Sequence, residues 1–331
     1  MRETTSEVTV EAVPKTTAPI VVLLGPQKVE SQVARVLREI GVRTRVALVT
    51  AGWQEREADD ALLVAELKAA GITSENLRLH QRSEEVFRSD AELATAYSAR
   101  QERLRHLQGF YRTRLDYAGD AARAISVRHV DQDLLDQESR VSIEQFRQLD
   151  RDHLDRCRAI HVAFEERMRL PERRAIVRHV RELHAILDPA EALVIAGGHV
   201  ASLLNRLKLF DVIGLAKGKH VLAWSAGAMI LTERIVLFHD FPPYGSVIAQ
   251  VLDAGLGLAP ELVVLPDPKR RMRMDDRHGI ARFAQRMSPA TCVAMDKDAQ
   301  VVFRSRRIAG ARAARLTSDG DVEAAWAGAT R

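Results

Sequence analysis

Residues 220–231 read HVLAWSAGAMIL and combine an apolar strand, a serine and a run of small residues. The apolar run up to Trp224 predicts a strand that is buried on both faces. The small residues after Ser225 allow a sharp turn into a helix, whose N-terminus would direct free N–H groups and a positive dipole end at the serine. The stretch therefore predicts Ser225 as a catalytic nucleophile and the Ala226 amide as one donor to an oxyanion.

A second oxyanion donor is expected in the loop after another strand. Residues 191–198, EALVIAGG, read as a buried strand that ends in two glycines. Ligand sites of open α/β sheets lie at the carboxyl ends of the strands, so this loop is expected beside Ser225. We predict Gly198 as the second oxyanion donor and Gly197 as part of the substrate site.

The rest of the chain supports an α/β fold. Apolar strand-like runs at 19–25, 44–52 and 259–267 alternate with helix-like stretches at 28–41, 55–71 and 276–287. A third early strand is predicted at 76–80, and residues 291–305 read as a strand hairpin. Alternation of strands and helices favours a parallel sheet with helices on both faces.

A long charged stretch interrupts this alternation. Residues 83–187 contain amphipathic helical patterns at 90–115, 142–170 and 171–187, which predict an all-helical insertion. The predicted organisation has a flexible N-terminal tail at 1–18, one α/β domain formed by 19–82 with 188–318, and a C-terminal tail at 319–331. The insertion is expected either to cover the active site or to contact another subunit, as a homodimer or with a protein partner.

Taken together, the motifs resemble those of the S51 serine peptidases, which include peptidase E and the cyanophycinases. The Ser225 turn is similar to the nucleophile turn of that family, and Gly197-Gly198-His199 with Leu203-Leu204 resembles its oxyanion loop. The stretches GLGLAPELVVLPD, 255–267, and AMDKDAQVVF, 294–303, resemble two later family segments in the same order. The resemblance implies a flavodoxin-like, three-layer, doubly wound, mainly parallel sheet of the class I glutamine amidotransferase type.

The resemblance fails at the general base. The family has a Pro-His pair where this chain has Pro266 and Asp267. An aspartate of ordinary pKa is a weak base for a serine hydroxyl, so another group must accept the proton or the activity is impaired. His199, His239 and His278 are the alternative bases, and Asp240 resembles the acidic residue that follows the family's nucleophile.

The predicted function is a serine hydrolase that cleaves a peptide or isopeptide bond with a non-standard base. Basic side chains follow Asp267, and Arg270, Arg271 and Arg273 could bind an acidic substrate group. The alternative is a catalytically impaired homologue that acts as a binding or assembly protein through its helical insertion. A cysteine amidotransferase is disfavoured because serine holds the nucleophile position, and LLGPQK, 23–28, is not a dinucleotide-binding turn.

Composition limits the remaining classes. Charged residues make up 28% of the 331 residues and the net charge is +4, with acids and bases interspersed. We expect no nucleic-acid partner, no membrane span, no cofactor and no metal, because the two cysteines, Cys157 and Cys292, have no metal-ligand spacing. The polar N-terminus lacks the apolar segment of a secretory signal, which predicts a cytoplasmic protein.

Overall fold

The computed structural model describes residues 18–27, 31–240 and 248–324. The strands are β1 (Ile20–Leu24), β2 (Arg45–Val49), β3 (Thr73–Asn76), β4 (Ala192–Ile195), β5 (His220–Trp224), β6 (Arg234–Leu237), β7 (Gln250–Ala254), β8 (Leu262–Pro266), β9 (Thr291–Met295), β10 (Gln300–Arg304), β11 (Arg307–Arg312), β12 (Ala314–Leu316) and β13 (Val322–Ala324). The helices are α1 (Val33–Glu39), α2 (Ala61–Ala69), α3 (Leu79–Ser89), α4 (Ala91–Ser126), α5 (Gln132–Met168), α6 (Arg174–Leu187), α7 (Val200–Leu209), α8 (Val212–Leu215), α9 (Ala226–Ile230), α10 (Pro268–Arg271) and α11 (Arg277–Met287).

A central sheet of seven strands has the order β11-β10-β1-β5-β4-β2-β3. The strands from β1 to β3 in that order run parallel to their neighbours, whereas β10 and β11 join one edge in antiparallel pairing. The protein is therefore a mixed α/β protein with a mostly parallel central sheet and many helices. The carboxyl ends of β2, β4, β5 and β1 lie side by side along one edge of this sheet.

Both faces of the central sheet are covered. Alternate strand residues such as Leu222 and Trp224 pack in one apolar cluster with Val36 and Leu37 of α1. Val221 and Ala223, which point to the opposite face, pack in another cluster that includes Leu203 and Leu207 of α7. This double coverage explains why the parallel strands are continuous apolar runs in the sequence.

A second sheet has the order β13-β12-β9-β8, and β6 pairs with β7 in a separate antiparallel ribbon. The hairpin predicted over 291–305 is wrong in its pairing. β9 pairs with β8 and β12, whereas β10 pairs with β1 and β11, so the turn at 296–299 leads from one sheet to the other. The predicted C-terminal tail, 319–331, contains a strand: β13 lies within it and pairs with β12.

The segment between β3 and β4 is helical, as the amphipathic patterns predict. α4 and α5 have 36 and 37 residues and pack against each other. The strand predicted at 76–80 is displaced, since β3 ends at Asn76 and α3 begins at Leu79. The carboxylate of Glu57 accepts the amide hydrogens of His80 and Gln81, each at 3.0 Å, and so satisfies free donors in the first turn of α3.

A buried polar cluster attaches α4 and α5 to the rest of the protein. The Arg286 guanidinium of α11 donates to both carboxylate oxygens of Asp150, at 2.8 and 2.6 Å, and to the Ala249 carbonyl at 2.8 Å. The Tyr111 hydroxyl of α4 donates to Asp150 at 2.6 Å and accepts from the Val251 amide at 3.1 Å. Four elements, α4, α5, α11 and β7, are thus held together by one ion pair and its hydrogen bonds.

None of the described helices is both long and apolar enough to cross a membrane. Among the described residues, no three His, Cys, Asp or Glu side chains converge in a way that could hold a metal ion. Both cysteines are buried free thiols, and burial raises the pKa of each to about 12. Residues 1–17 of the predicted N-terminal tail, and 325–331 of the C-terminal one, lie outside the described residues.

Candidate active site

Ser225 occupies a strained turn between β5 and α9, here called the serine turn (residues 224–226). Its backbone has φ 53° and ψ −121°, a conformation that residues with a β-carbon rarely adopt. The Ser225 amide donates to the Leu24 carbonyl of β1 at 3.2 Å, and the Ser225 carbonyl accepts from the Met229 amide at 3.0 Å. The turn is thus fixed on one side by the sheet and on the other by the first bond of the helix. Strained strand-to-helix turns of this kind present the nucleophile in α/β hydrolases.

The predicted glycine loop lies against the serine. A β-carbon placed on Gly197 would stand 2.9 Å from the Ser225 β-carbon and 3.3 Å from its hydroxyl oxygen. Gly198 has φ 127°, and a β-carbon there would come within 2.4 Å of the Gly52 carbonyl oxygen. The glycines therefore allow the backbones that follow β2, β4 and β5 to approach each other closely. The structure brings Ser225, Gly197 and Gly198 together, as the sequence predicts.

Two free amides accompany the serine turn. Neither Gly198 nor Ala226 donates a backbone hydrogen bond to any residue that the structure describes. Ala226 is the first residue of α9, where an amide has no partner within the helix. Free donors beside a strained serine are the arrangement that an oxyanion site requires.

His199 follows this loop directly, but its Nδ1 already accepts a hydrogen bond from another residue. Nδ1 accepts from the Ser202 amide at 3.2 Å and lies 3.0 Å from the Ser202 hydroxyl, so the side chain caps α7. When Nδ1 accepts from an amide, the hydrogen of the neutral imidazole is on Nε2. In this arrangement His199 presents a hydrogen-bond donor, not a base, at its other nitrogen.

His239 and Asp240 follow β6 and contact the loop after β8. Burial lowers the pKa of His239, and the Arg271 guanidinium lowers it further. Asp240 accepts from the Arg273 amide at 2.8 Å, and its own amide donates to the Arg271 carbonyl at 2.7 Å. Burial raises the pKa of Asp240. Asp240 therefore joins the end of β6 to the basic residues that follow Asp267.

Asp267 is at the end of β8, in the second sheet. Its amide donates to the Met295 carbonyl at 3.1 Å, and its carboxylate lies 3.7 Å from the Arg270 guanidinium. Asp296, the residue after Met295, lies against the loop after β1, since its carbonyl oxygen would be 1.7 Å from a β-carbon on Gly25. Asp267 is thus joined through β9 to the loop that follows β1, and no hydrogen bond links it to the serine turn among the described residues.

The basic side chains after Asp267 differ in their surroundings. Lys269 pairs with Asp296 at 3.0 Å, and the Arg271 guanidinium lies 5.8 Å from the Phe238 ring centre. Arg270 and Arg273 are exposed. His278 is exposed near the start of α11, a helix that packs on α5 and β9.

No described residue forms a hydrogen bond with the Ser225 hydroxyl. None of the three candidate histidines, and neither aspartate, is in place as its base in this arrangement. Catalytic hydrogen bonds are often formed only when substrate is bound, so the geometry leaves the three histidines as alternatives.

Sequence reasoning missed the contribution of the turn after β2. Gln54 has φ 57° and ψ −122°, almost the same strained conformation as Ser225, and its side-chain amide donates to the Ser202 hydroxyl at 3.0 Å. Gly52 accepts from the His199 amide at 2.7 Å. The only local signal for this turn is the Ala51-Gly52 pair directly after an apolar strand, from which the sequence analysis draws no functional prediction.

The fold and the serine turn define a mixed α/β protein with a strained serine at the carboxyl edge of its sheet. No protein-family model and no curated protein matches the sequence. A solved structure of a peptidase from an acI-B1 Actinobacterium is similar, with 12% identity, a TM-score of 0.47, and coverage of 94% of this chain and 98% of that one. A protein assigned as a peptidase E from Listeria monocytogenes EGD-e is similar with 12% identity, a TM-score of 0.42, and coverage of 88% and 97%.

Proposed function

We propose that this protein is a serine hydrolase of the S51 type that cleaves a peptide or isopeptide bond. The observation that carries the proposal is the backbone of Ser225, which is held at φ 53° beside Gly197. Strain of this kind costs about 1–3 kcal/mol and persists where the surrounding structure imposes it, commonly at active sites.

In the proposed reaction the Ser225 hydroxyl attacks the carbonyl carbon of the scissile bond. The proton of the hydroxyl passes to a base while the new C–O bond forms, and the amides of Gly198 and Ala226 hold the oxyanion. The base returns the proton to the leaving amine, and water then releases the acyl group by the same route. The amides form no other described bond, which supports this role.

The base is proposed to be a histidine that reaches Ser225 when substrate is bound. His239 is one candidate, since burial and the Arg271 guanidinium lower its pKa and so favour the neutral ring that accepts a proton. The hydrogen bond from the Ser202 amide to Nδ1 of His199 would have to break before that nitrogen could accept the proton of Ser225. His278 completes the set of candidate bases, and Asp267 occupies the position that the histidine has in the S51 pattern.

Exposed arginines supply the proposed preference for an acidic residue next to the scissile bond. Arg270 and Arg273 are exposed and lie in the loop that follows Asp267, with the half-buried Arg271 between them. A guanidinium binds a carboxylate through two parallel hydrogen bonds. The proposed fold is the flavodoxin-like class I amidotransferase type, with 19–82 and 188–318 as one α/β domain and 83–187 as its helical insertion.

A fluorophosphonate probe tests the nucleophile directly. We expect the wild type to be labelled, Ser225→Ala to lose labelling, and Ser139→Ala to retain it. Ser139 is a matched control, because it is a half-buried serine of α5 whose hydroxyl donates to the Leu135 carbonyl. His239→Gln, His199→Gln and His278→Gln then identify the base by the loss of labelling at neutral pH.

A second candidate function follows if the wild type folds but is not labelled. The Ser225 hydroxyl has no hydrogen-bond partner among residues 18–27, 31–240 and 248–324, and this supports the second candidate, a catalytically impaired homologue that binds or assembles through its helices.

Aspartyl dipeptides and β-aspartyl peptides test the substrate of the proposed hydrolase. Cleavage should fall in Arg270→Ala and Arg273→Ala but not in Arg56→Ala, whose exposed side chain pairs with Asp59.

A further inference from the structure

The distal part of the α4–α5 hairpin is not covered by the rest of the protein. Gly119 is the last buried residue of α4 and Ser142 the first buried residue of α5. All residues between them, 120–141, are exposed or half-buried, and this segment is here called the arm. Two helices alone bury little apolar surface, and most helical stability in proteins comes from packing against other elements. We therefore expect an uncovered arm of this length to pack against another molecule.

Apolar side chains are exposed along the arm and just below it. Tyr117 and Val127 are 73% and 71% exposed, and Phe110, Val130, Leu134 and Val141 are also exposed. Phe110 and Tyr117 are seven residues apart on α4, as are Leu134 and Val141 on α5. This spacing places each pair on one side of its helix and is the repeat by which helices pack in bundles.

Two stretches of opposite charge lie at opposite ends of the hairpin's distal half. The basic stretch, 103–114 on α4, holds four arginines and no acidic residue. The acidic stretch, 131–138 on α5, holds four carboxylates and no lysine or arginine. All eight side chains are exposed, and none forms an ion pair with a described residue. The basic stretch comprises Arg103, Arg105, Arg112 and Arg114, and the acidic one Asp131, Asp133, Asp136 and Glu138. Residues three, four or seven apart share one side of a helix. Arg103 and Arg114 therefore lie on the side of α4 that carries Phe110, and Asp131 and Glu138 on the side of α5 that carries Leu134.

These stretches cannot meet within one chain. Tyr111 lies beside Asp150, so the acidic stretch lies beside the end of α4, near Ser126. At 1.5 Å per residue, the centre of the basic stretch is roughly 25–30 Å away along the helix. Exposed charges at that separation are screened from each other in physiological salt.

We propose that two copies of this chain pair through their hairpins, antiparallel to each other, in a four-helix bundle. A twofold axis near Tyr117, halfway between the centre of the basic stretch and the end of α4, places the acidic stretch of each copy on the basic stretch of the other. The same operation brings Phe110 of one copy to the apolar end of the other arm, where Val127, Val130 and Leu134 are exposed. The interface is isologous, so one surface satisfies both partners.

The oligomeric state of the full chain tests the proposal, measured by light scattering after size exclusion and by sedimentation equilibrium. The wild type is expected at twice the mass of one chain at micromolar concentration, with a larger monomer fraction at high salt. Tyr117→Glu should give a monomer, whereas Leu62→Glu should leave the dimer intact. Leu62 is a matched control, because it is 83% exposed on α2, away from the hairpin. Circular dichroism checks that each variant is folded.

Charge reversal provides the decisive test. A base variant carries Arg103→Glu and Arg114→Glu, and a tip variant carries Asp131→Lys and Glu138→Lys. Each should be monomeric alone, because like charges then face each other in both contacts. Their mixture should form a heterodimer, since both contacts regain opposite charges.

A monomeric wild type, or a base variant that remains dimeric, would overturn the proposal. So would two monomeric variants that do not combine when mixed. These measurements do not depend on hydrolase activity, so failure of the proposed function leaves them unaffected.

Discussion

Gly197 lies directly against Ser225, and there is no room for a side chain between them. A β-carbon on Gly197 would be 2.9 Å from the β-carbon of Ser225, closer than such atoms approach in folded proteins. The neighbouring carbonyl oxygen of Trp224 would be 3.3 Å away. The glycine loop and the serine turn are therefore one packed unit, and a change in the first must alter the second.

Gly197→Ala should displace the serine turn. Because the new methyl group overlaps a side chain that is held by backbone on both sides, we expect a loss of about 1–3 kcal/mol in the free energy of unfolding. The rate at which a fluorophosphonate labels Ser225 should fall by at least about tenfold, because the hydroxyl is then displaced from its reactive position. Urea unfolding and labelling rates measure the two effects.

Gly109→Ala is the matched control for that experiment. Gly109 is inside α4, and a β-carbon there meets nothing within 4 Å. Since glycine weakens a helix interior, this variant should gain about 0.5–1 kcal/mol and keep full labelling. Equal stability of the two alanine variants would contradict the close contact at Gly197.

Ser225→Gly should stabilise the protein while it removes the nucleophile. Glycine adopts φ 53° without steric cost, so the strain of about 1–3 kcal/mol is relieved, against about 0.5–1 kcal/mol of lost backbone entropy. Ser225→Ala removes the same hydroxyl and keeps the strain. In urea unfolding, the glycine variant should therefore be more stable than the alanine variant by about 1 kcal/mol. The reverse order would show that the turn is not strained.

The sequence predicts the elements of the serine turn because the signal is local. An apolar strand, a serine and three small residues lie next to each other in 220–228, and each has a direct physical meaning for a turn. The long helices α4, α5 and α6 are confirmed for the same reason, since helical periodicity is contained in each stretch.

Features that depend on distant partners are not predictable in this way. The displaced start of α3 depends on the carboxylate of Glu57, more than twenty residues earlier. β10 pairs with β1, which lies at the opposite end of the chain, so residues 291–305 look like a hairpin although their two strands belong to different sheets. The close contact of Gly52 with Gly198 likewise follows from the strand order, which periodicity does not specify.

Asp150→Asn should strongly destabilise the protein. Arg286 is buried with Asp150 as its carboxylate partner, and breaking a buried ion pair on one side costs about 3–5 kcal/mol. The double variant Asp150→Leu with Arg286→Met removes both charges and should recover most of that loss. Urea unfolding of both variants measures the difference. A double variant as unstable as Asp150→Asn would mean that the hydrogen bonds to Tyr111 and Ala249, not the ion pair, hold the hairpin.

Asp90→Asn should remove a stabilising contribution that depends on pH. Hydrogen bonds from the Arg173 guanidinium, both at 2.6 Å, lower the pKa of Asp90 against the opposing effect of burial, and the Leu93 amide at the start of α4 lowers it further. A carboxyl group whose pKa is lowered by folding stabilises the folded state above its unfolded pKa of about 3.9, and this stability is lost as pH falls through the folded pKa. The variant should therefore be less stable than the wild type by about 1–2 kcal/mol at pH 7, and the difference should shrink below about pH 4.

Urea unfolding of Asp90→Asn at pH 7, 5, 4 and 3 measures this difference. Asp59→Asn is the control, because Asp59 forms an exposed ion pair with Arg56, and it should change stability by less than about 0.5 kcal/mol at every pH. A deficit of the same size at all four pH values would show that Asp90 acts through its shape and not through its charge.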